Sequence, residues 1–528
     1  MKLKMISIKN VILILFVGTT LFSCSNNKRQ ETLAGTEKPN IILIFTDDLG
    51  YGDLGVTYQN KLAALQNSAL PSAKTPNIDK LTSEGVLMPQ QYCAAPVCAP
   101  SRGSLLTGLS QGHANVRDNQ FDKALADNHT LGTVLKAAGY TTAAFGKWGL
   151  QGRGDGPDWP AHPRKRGFDY YYGYIRHGDG HEHYPKEGIY RGSKEVYENY
   201  TNVADGLDKC YTADLWTAAA KRWIVEQKQS QDKNKPFFVY LAYDTPHAVL
   251  ELPTQAYPEG GGLNGGLQWL GEKGRMINTA SGEVDSYIYP EYANATWDDD
   301  NNPVTPEVPW PDVYKRYATD TRRIDDAVGD LVQLLKDLEI DNNTLIVFAS
   351  DNGPSRESYL EENYSPEFFH SYADFDGIKR DCLEGGIRVP VLAWWPGKIP
   401  AGSVIETPSI SYDWLPTFAA VAGIPAPANT DGVSLLPSLT GNGNQKESSI
   451  YIEYFQNGVT PRYGDFAAEH QGRRRKQMQM IRLGDLVGLR YNIQSHNDEF
   501  EIYDIKNDPG QRNILNEQPG MERIQEQM

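Results

Sequence analysis

Asn40-Ile41-Ile42-Leu43-Ile44-Phe45-Thr46, followed at once by Asp47 and Asp48, is the stretch whose reading decides the fold. Its apolar residues run consecutively rather than alternately, the pattern of a strand buried on both faces of a parallel sheet. Similar runs recur at Thr141 to Phe145, Pro236 to Tyr243 and Thr344 to Ser350, with amphipathic helical stretches such as Leu131 to Ala138 and Asp320 to Leu338 between them. This alternation predicts an α/β fold: a large mixed, mostly parallel sheet sandwiched by helices. Each run delivers polar residues at its end: Asp47-Asp48, Lys147, His247 and Asp351-Asn352. Open α/β sheets bind ligands beyond the carboxyl ends of their strands, so these groups are expected to meet at one edge.

The length, 528 residues, allows a large core and more than one domain. A net charge of −16 argues against a protein that grips nucleic acid, although a local basic cluster can still bind a small anion. Lys2, Lys4 and Lys9 precede a short apolar run, Val11 to Phe22, that ends in Leu21-Phe22-Ser23-Cys24. That is an export signal resembling a bacterial lipobox, too short to span a membrane comfortably. The expected organisation is a signal over residues 1–23 and a tether over 24–38. A catalytic domain over 39–445 and a small α+β domain over 446–528 with an antiparallel sheet follow. The protein would be exported, to the periplasm or outer membrane, as a lipoprotein lipidated at Cys24 and touching membrane only through that anchor. Ile450 to Tyr454 and Leu486 to Ile493 read as C-terminal strands, and the basic run Arg473 to Lys476 as a solvated loop. Cys93, Cys210 and Cys382 match no zinc or disulfide pattern and read as small buried hydrophobes.

Asp47, Asp48, Asp351 and Asn352 form a hard oxygen set suited to Ca2+ or Mg2+ rather than zinc. Cys98-Ala99-Pro100-Ser101-Arg102, continuing to Thr107-Gly108, reads as a nucleophile at the mouth of a helix whose N–H groups favour an anion. C-x-P-S-R followed by L-T-G resembles the signature of the formylglycine-dependent (type I) sulfatases, within the alkaline phosphatase superfamily. The resemblance extends along the mature chain. It takes in Pro39 to Asp53, G-K-W at Gly146 to Trp148, Pro246-His247, S-D-N-G at Ser350 to Gly353, E-G-G-I-R-V-P at Glu384 to Pro390 and I-Y-D-I-K-N-D-P at Ile502 to Pro509.

The resemblance implies a sulfuric ester hydrolase. Cys98 would be oxidised to formylglycine by a maturation enzyme that reads Pro100 and Arg102. One Ca2+ would be held by Asp47, Asp48, Asp351, Asn352 and residue 98. Arg102 would brace the formylglycine, Lys147 and Lys379 would contact sulfate, and His247 would protonate the departing alcohol with Lys379 as its partner. An aldehyde hydrate offers two hydroxyls on one carbon, so the second can expel sulfate after the first has taken it, whereas a simple serine sulfate would be a stable ester.

Many relatives carry G-K-W-H-L-G, but here Lys147-Trp148 is followed by Gly149 and Leu150, which removes one candidate partner for the formylglycine hydroxyls. His177, His181 and His183 cluster in one loop. Their spacing admits a metal, but beside an anion pocket it reads better as substrate contact, with His181, His183 and Arg388 as candidates. Trp269, Tyr287, Tyr289, Tyr292 and Trp297, in an irregular segment from Tyr257 to Pro311, either stack on sugars or pack that segment. Exported enzymes with such loops fit a sulfated glycan substrate. The rival readings are a phosphonate monoester or phosphodiester hydrolase, which shares the fold and sometimes the signature, and a catalytically silent glycan-binding lipoprotein.

Overall fold

The structure, a computed structural model, describes residues 37–120 and 123–528; the signal segment and Cys24 lie outside the described residues. Ten strands form the central sheet: β1 (Asn40–Thr46), β2 (Val86–Leu87), β3 (Thr141–Lys147), β4 (Tyr170–Tyr174), β5 (Tyr197–Glu198), β6 (Thr201–Asn202), β7 (Phe237–Ala242), β8 (Thr344–Ser350), β9 (Val391–Trp394) and β10 (Ser403–Val404). Across the sheet they run β10-β2-β9-β8-β1-β7-β3-β4-β5-β6. The middle five, β8 to β4, are parallel, and antiparallel strands flank them on both sides.

β1 lies at the centre because both of its faces are apolar. Ile41, Leu43 and Phe45 enter one buried cluster, Ile42 and Ile44 the other. On the first face pack α2 (Cys98–Thr107) and α5 (Trp414–Val421); on the second pack α1 (Pro76–Ser83), α3 (Thr212–Gln229) and α4 (Asp312–Asp337). Each of the five β1 side chains is fully buried, which stabilises the fold by about 1.5–3 kcal/mol apiece. Helix α4 begins earlier than its apolar periodicity indicates. Pro311 precedes it and Asp312 places a carboxylate in the first turn, where the helix dipole favours negative charge.

The C-terminal antiparallel sheet has four strands: β11 (Ile450–Val459), β12 (Arg474–Leu483), β13 (Leu486–Arg490) and β14 (Glu501–Asp504). Met478, Met480, Val487, Leu489 and Tyr503 share one buried cluster with Val86 and Leu105 of the large sheet's layer. The basic run is not the solvated loop expected of it. It opens β12, where alternation turns Arg475 inward, and its guanidinium grips both oxygens of Asp381 at 2.8 Å while Arg473 pairs with Glu501. Burial without that carboxylate would be costly, so the pairing is what permits it.

The aromatic residues of the Tyr257 to Pro311 segment pack rather than present open rings. Tyr289 and Tyr292 are buried, and Trp297 meets Phe368 edge-on at 4.9 Å. Trp269 lies under the Arg222 guanidinium. Cys93, Cys210 and Cys382 are free and buried, as their surroundings in the sequence indicate.

Candidate active site

Six segments deliver the site: the ends of β1, β3 and β8, the loop after β7, the start of α2, and a sixth carrying Lys379, whose backbone N–H donates to the Pro354 carbonyl beyond β8. Asp47 and Asp48 follow β1, and the Asp47 N–H donates to the Thr245 carbonyl beyond β7. The Asp351 N–H donates to the Thr46 carbonyl, which ties the end of β8 to β1. Asp48 takes a left-handed conformation (φ 64°), and its own N–H donates to Asp351 Oδ1 at 3.1 Å. Lys147 ends β3, and His247 lies in the loop after β7. Cys98 is the first residue of α2, with Arg102 four residues on and so on the same helix face.

These side chains form one closed network of charge. Lys147 Nζ donates to Asp47 Oδ2 at 2.5 Å, and Lys379 Nζ to Asp48 Oδ2 at 2.7 Å. Arg102 reaches Asp351 Oδ2 through Nε and Nη2, both at 2.9 Å, and stands 3.4 Å from Asp47. Asn352 donates its amide to Asp48 Oδ1 at 2.8 Å. Cys98, Arg102, Lys147, His247, Lys379, Asp47, Asp48, Asp351 and Asn352 are all buried. The ligand atoms of Asp47, Asp48, Cys98 and His247 lie within 4.8 Å of one another. Two acceptors in the group, Asp47 Oδ1 and Asn352 Oδ1, have no hydrogen-bond partner among the described residues.

Crowding sets the electrostatics. Burial works against the charge on Asp47, but Lys147 and Arg102 outweigh it and hold the carboxyl well below its usual range. Asp351 is pushed up to about 7 by burial and by the charge of Asp47, against the pull of Arg102. Burial and then Asp47 push the Cys98 thiol up. His247 is driven down by burial and then by Lys379, so in the free site it is neutral, while Lys379 keeps its proton because Asp48 overrides its burial. Three carboxylates drawn this close, with two unpartnered oxygens, fit a hard divalent cation.

The histidine loop divides its members. His181 stacks on His247, with ring centroids 4.5 Å apart and planes 11° apart, so it borders the site. His183 does not face it. Its Nε2 donates to the His247 carbonyl at 2.9 Å, and its Nδ1 lies 3.1 Å from Thr212 Oγ1 and 3.3 Å from Asp244. Burial alone would neutralise this ring, but Asp244 raises it to about 10, and the resulting cation holds His247 from behind. Arg388 is also not brought to the site. Its guanidinium is spent on Glu384, the Tyr92 hydroxyl and the Pro89 carbonyl. The substrate roles expected of His183 and Arg388 are therefore replaced by structural ones.

Gly149 is explained by His177. A Cβ at position 149 would stand 3.1 Å from His177 Nδ1, and the backbone there has φ 70°. A side chain at 149 would press on the His177 imidazole and would have to adopt a left-handed backbone that favours glycine.

Sequence reasoning missed Glu357 and Asp244. Glu357 lies 3.8 Å from Lys379 and 3.9 Å from His247, in a loop with no local signal to mark it. Asp244 ends the β7 run two residues before Pro246, and a carboxylate at that edge was a readable signal.

Residues 39–424 match the sulfatase family, and residues 370–528 match the C-terminal region of N-sulphoglucosamine sulphohydrolase. The chain belongs to the sulfatase family. It is a sulfuric ester hydrolase of the type I group. The chain is 31% identical to N-acetylgalactosamine-6-sulfatase of Sus scrofa over 432 residues, 79% of this chain and 68% of the relative. It is 30% identical to arylsulfatase A of Bos taurus over 450 residues, 80% of this chain and 71% of the relative. Among solved structures, Ps i-CgsB in complex with k-i-k-neocarrahexaose superposes with a TM-score of 0.64 at 27% identity, covering 91% of this chain and 89% of that one. The large mixed sheet and the C-terminal antiparallel sheet of this sulfatase are thus those expected from its sequence.

Proposed function

We propose that this sulfatase hydrolyses sulfate monoesters on glycans, using the hydrate of a formylglycine made from Cys98 and one Ca2+ held by Asp47, Asp48, Asp351, Asn352 and residue 98. The observation that carries the proposal is the pair of unpartnered buried oxygens, Asp47 Oδ1 and Asn352 Oδ1, in the same closed group as Cys98, Lys147 and Lys379. Other buried polar atoms among the described residues also lack partners; what marks these two is that they belong to a group of three carboxylates beside Cys98, the setting of a hard cation. A carbohydrate substrate is supported by relatives named for N-acetylgalactosamine-6-sulfate and by the carrageenan oligosaccharide in the Ps i-CgsB complex.

A formylglycine hydrate supplies one hydroxyl to take the sulfuryl group and a second to release it as sulfate. Calcium supplies positive charge against the sulfate oxygens. The chain's own residues do the rest. Lys147 and Lys379 are poised to neutralise sulfate oxygens, and Cys98 itself opens α2, where a helix start favours negative charge. Arg102 fixes Asp351 and Asp47 in place. His247, neutral at rest, would take a proton from Lys379 and pass it to the ester oxygen as the sulfur–oxygen bond breaks, leaving Lys379 to be reprotonated from solvent. Asp244 and His183 keep His247 oriented.

The test is mass spectrometry of the Cys98 peptide from the native host, with sulfate release measured on the same sample. A peptide about 18 Da lighter than the cysteine form, with activity, supports the reading. An unmodified Cys98 in a preparation that still turns over overturns it and favours the phosphoryl-hydrolase alternative. We also propose export as a lipoprotein anchored at Cys24. Cys24→Ala should then move the protein from the membrane fraction to the soluble one, and no change in fractionation would count against the anchor.

A further inference from the structure

Two polar atoms beside His247 make no hydrogen bond among the described residues and have no part in the sulfuryl transfer. Glu357 Oε1 accepts from Arg380 at 2.7 Å, but Oε2 has no hydrogen-bond partner among the described residues. Its neighbours are engaged elsewhere: Lys379 donates its hydrogen bond to Asp48, and His247 Nδ1 lies 2.6 Å from the Ala248 carbonyl. His181 Nε2 is likewise buried and unpartnered. Lys379 at 3.8 Å and Arg380 keep the Glu357 carboxylate charged, but neither fills the hydrogen-bonding position of Oε2, which a donor on a ligand can take.

The placement of the pair says which ligand. His181 lies parallel to one face of the His247 ring, and Glu357 Oε2 stands 3.9 Å from its Nε2. Tyr359 forms the outer lip, with centroids 5.8 Å from His181 and 6.4 Å from His247, and Arg191 covers its face at 4.6 Å. With His247 as the acid, its ring meets the oxygen that leaves with the sugar. Groups packed beside it therefore meet the substituents nearest to that oxygen. A carboxylate oxygen and a neutral imidazole are matched by a hydroxyl, which donates to the first and exchanges a bond with the second. They are mismatched by a second sulfate or a uronate, whose charge Glu357 repels.

We propose that Glu357 and His181 form a specificity site that requires a free hydroxyl next to the sulfated position and rejects a second anion there. The inference rests on the glycan sulfatase reading and adds the substrate class: sugars carrying one sulfate with a neutral hydroxyl as nearest neighbour. Glu357 contacts substrate in this arrangement but takes no part in the bond changes.

The experiment uses the matured full-length enzyme and monosulfated galactose and N-acetylgalactosamine oligosaccharides. Each is paired with the same sugar lacking the hydroxyl nearest the sulfate ester and with one carrying a second sulfate there. In the wild type, loss of the hydroxyl should lower kcat/KM about ten- to hundredfold, the worth of a charge-assisted hydrogen bond. Glu357→Gln should lose a comparable factor on the hydroxylated sugar, lose little more on the deoxy sugar, and narrow the gap between mono- and disulfated probes. Losses that multiply, or a wild type that accepts the disulfate as readily as the monosulfate, overturn this inference alone. Turnover of phosphate esters with no sulfate released from any probe overturns the reaction assignment and this inference with it.

Discussion

Replacing Arg102 by methionine isolates the charge network from the chemistry. The guanidinium is fully buried and makes two bonds to Asp351 at 2.9 Å, with Asp47 at 3.4 Å. Methionine fills similar volume but leaves Asp351 without its cation, while Asp47 keeps Lys147 at 2.5 Å. Removing one partner of a buried pair costs about 3–5 kcal/mol, because the other charge stays desolvated. A body of nearly five hundred residues unfolds with an entropy of about 1 kcal/mol/K, so this corresponds to a fall of about 3–5 °C in Tm by calorimetry in calcium-free buffer. Added calcium should recover part of that fall, and should raise the variant's Tm more than the wild type's, since the ion restores positive charge beside Asp351 and Asp47. A fall below about 1 °C would mean that Arg102 is not the counter-ion the geometry makes it. An equal calcium response in both proteins would mean that the ion does not bind among these carboxylates.

The same geometry fixes three further outcomes. Asp351→Ala should abolish both stoichiometric calcium, read by titration calorimetry, and turnover; retained calcium at wild-type affinity would remove Asp351 from the ligand set. His247→Ala should lower kcat/KM on a sulfated sugar by about a hundred- to ten-thousandfold but act far less on nitrophenyl sulfate, whose leaving group needs no proton, and equal losses would exclude His247 as the acid. Burial holds the imidazole of His162 at about 4 against an ordinary 6.5, so between these values the unfolded chain takes up a proton that the folded one refuses. Stability should therefore fall as pH drops from 6.5 toward 4, and His162→Gln should flatten that part of the Tm profile; an unchanged slope would assign the acid sensitivity to other groups.

The sequence alone was sufficient for the sheet and for the groups at its edge. Asn40 to Thr46 is apolar on both faces, so it has to be central, and the residues just after a central parallel strand emerge at the ligand edge. Asp47, Asp48, Lys147, His247, Asp351 and Asn352 were legible for that reason, and Cys98 with Arg102 because a helix start and a four-residue spacing are local facts. Roles that depend on the packing across from a residue were not legible. Arg475 reads as solvated until β12 turns it toward Asp381, and Arg388 reads as an anion contact until Glu384 and Tyr92 are found around it. His181 and His183 are two residues apart, yet one stacks on the face of His247 and the other grips its backbone from behind. Gly149 reads as a loss until His177 is found filling its space. Periodicity and chain ends report which side of an element a residue occupies, but a charge or an imidazole takes its function from its nearest partner; apart from Glu384, four residues from Arg388, those partners lie tens to hundreds of residues away and are brought close only by the fold.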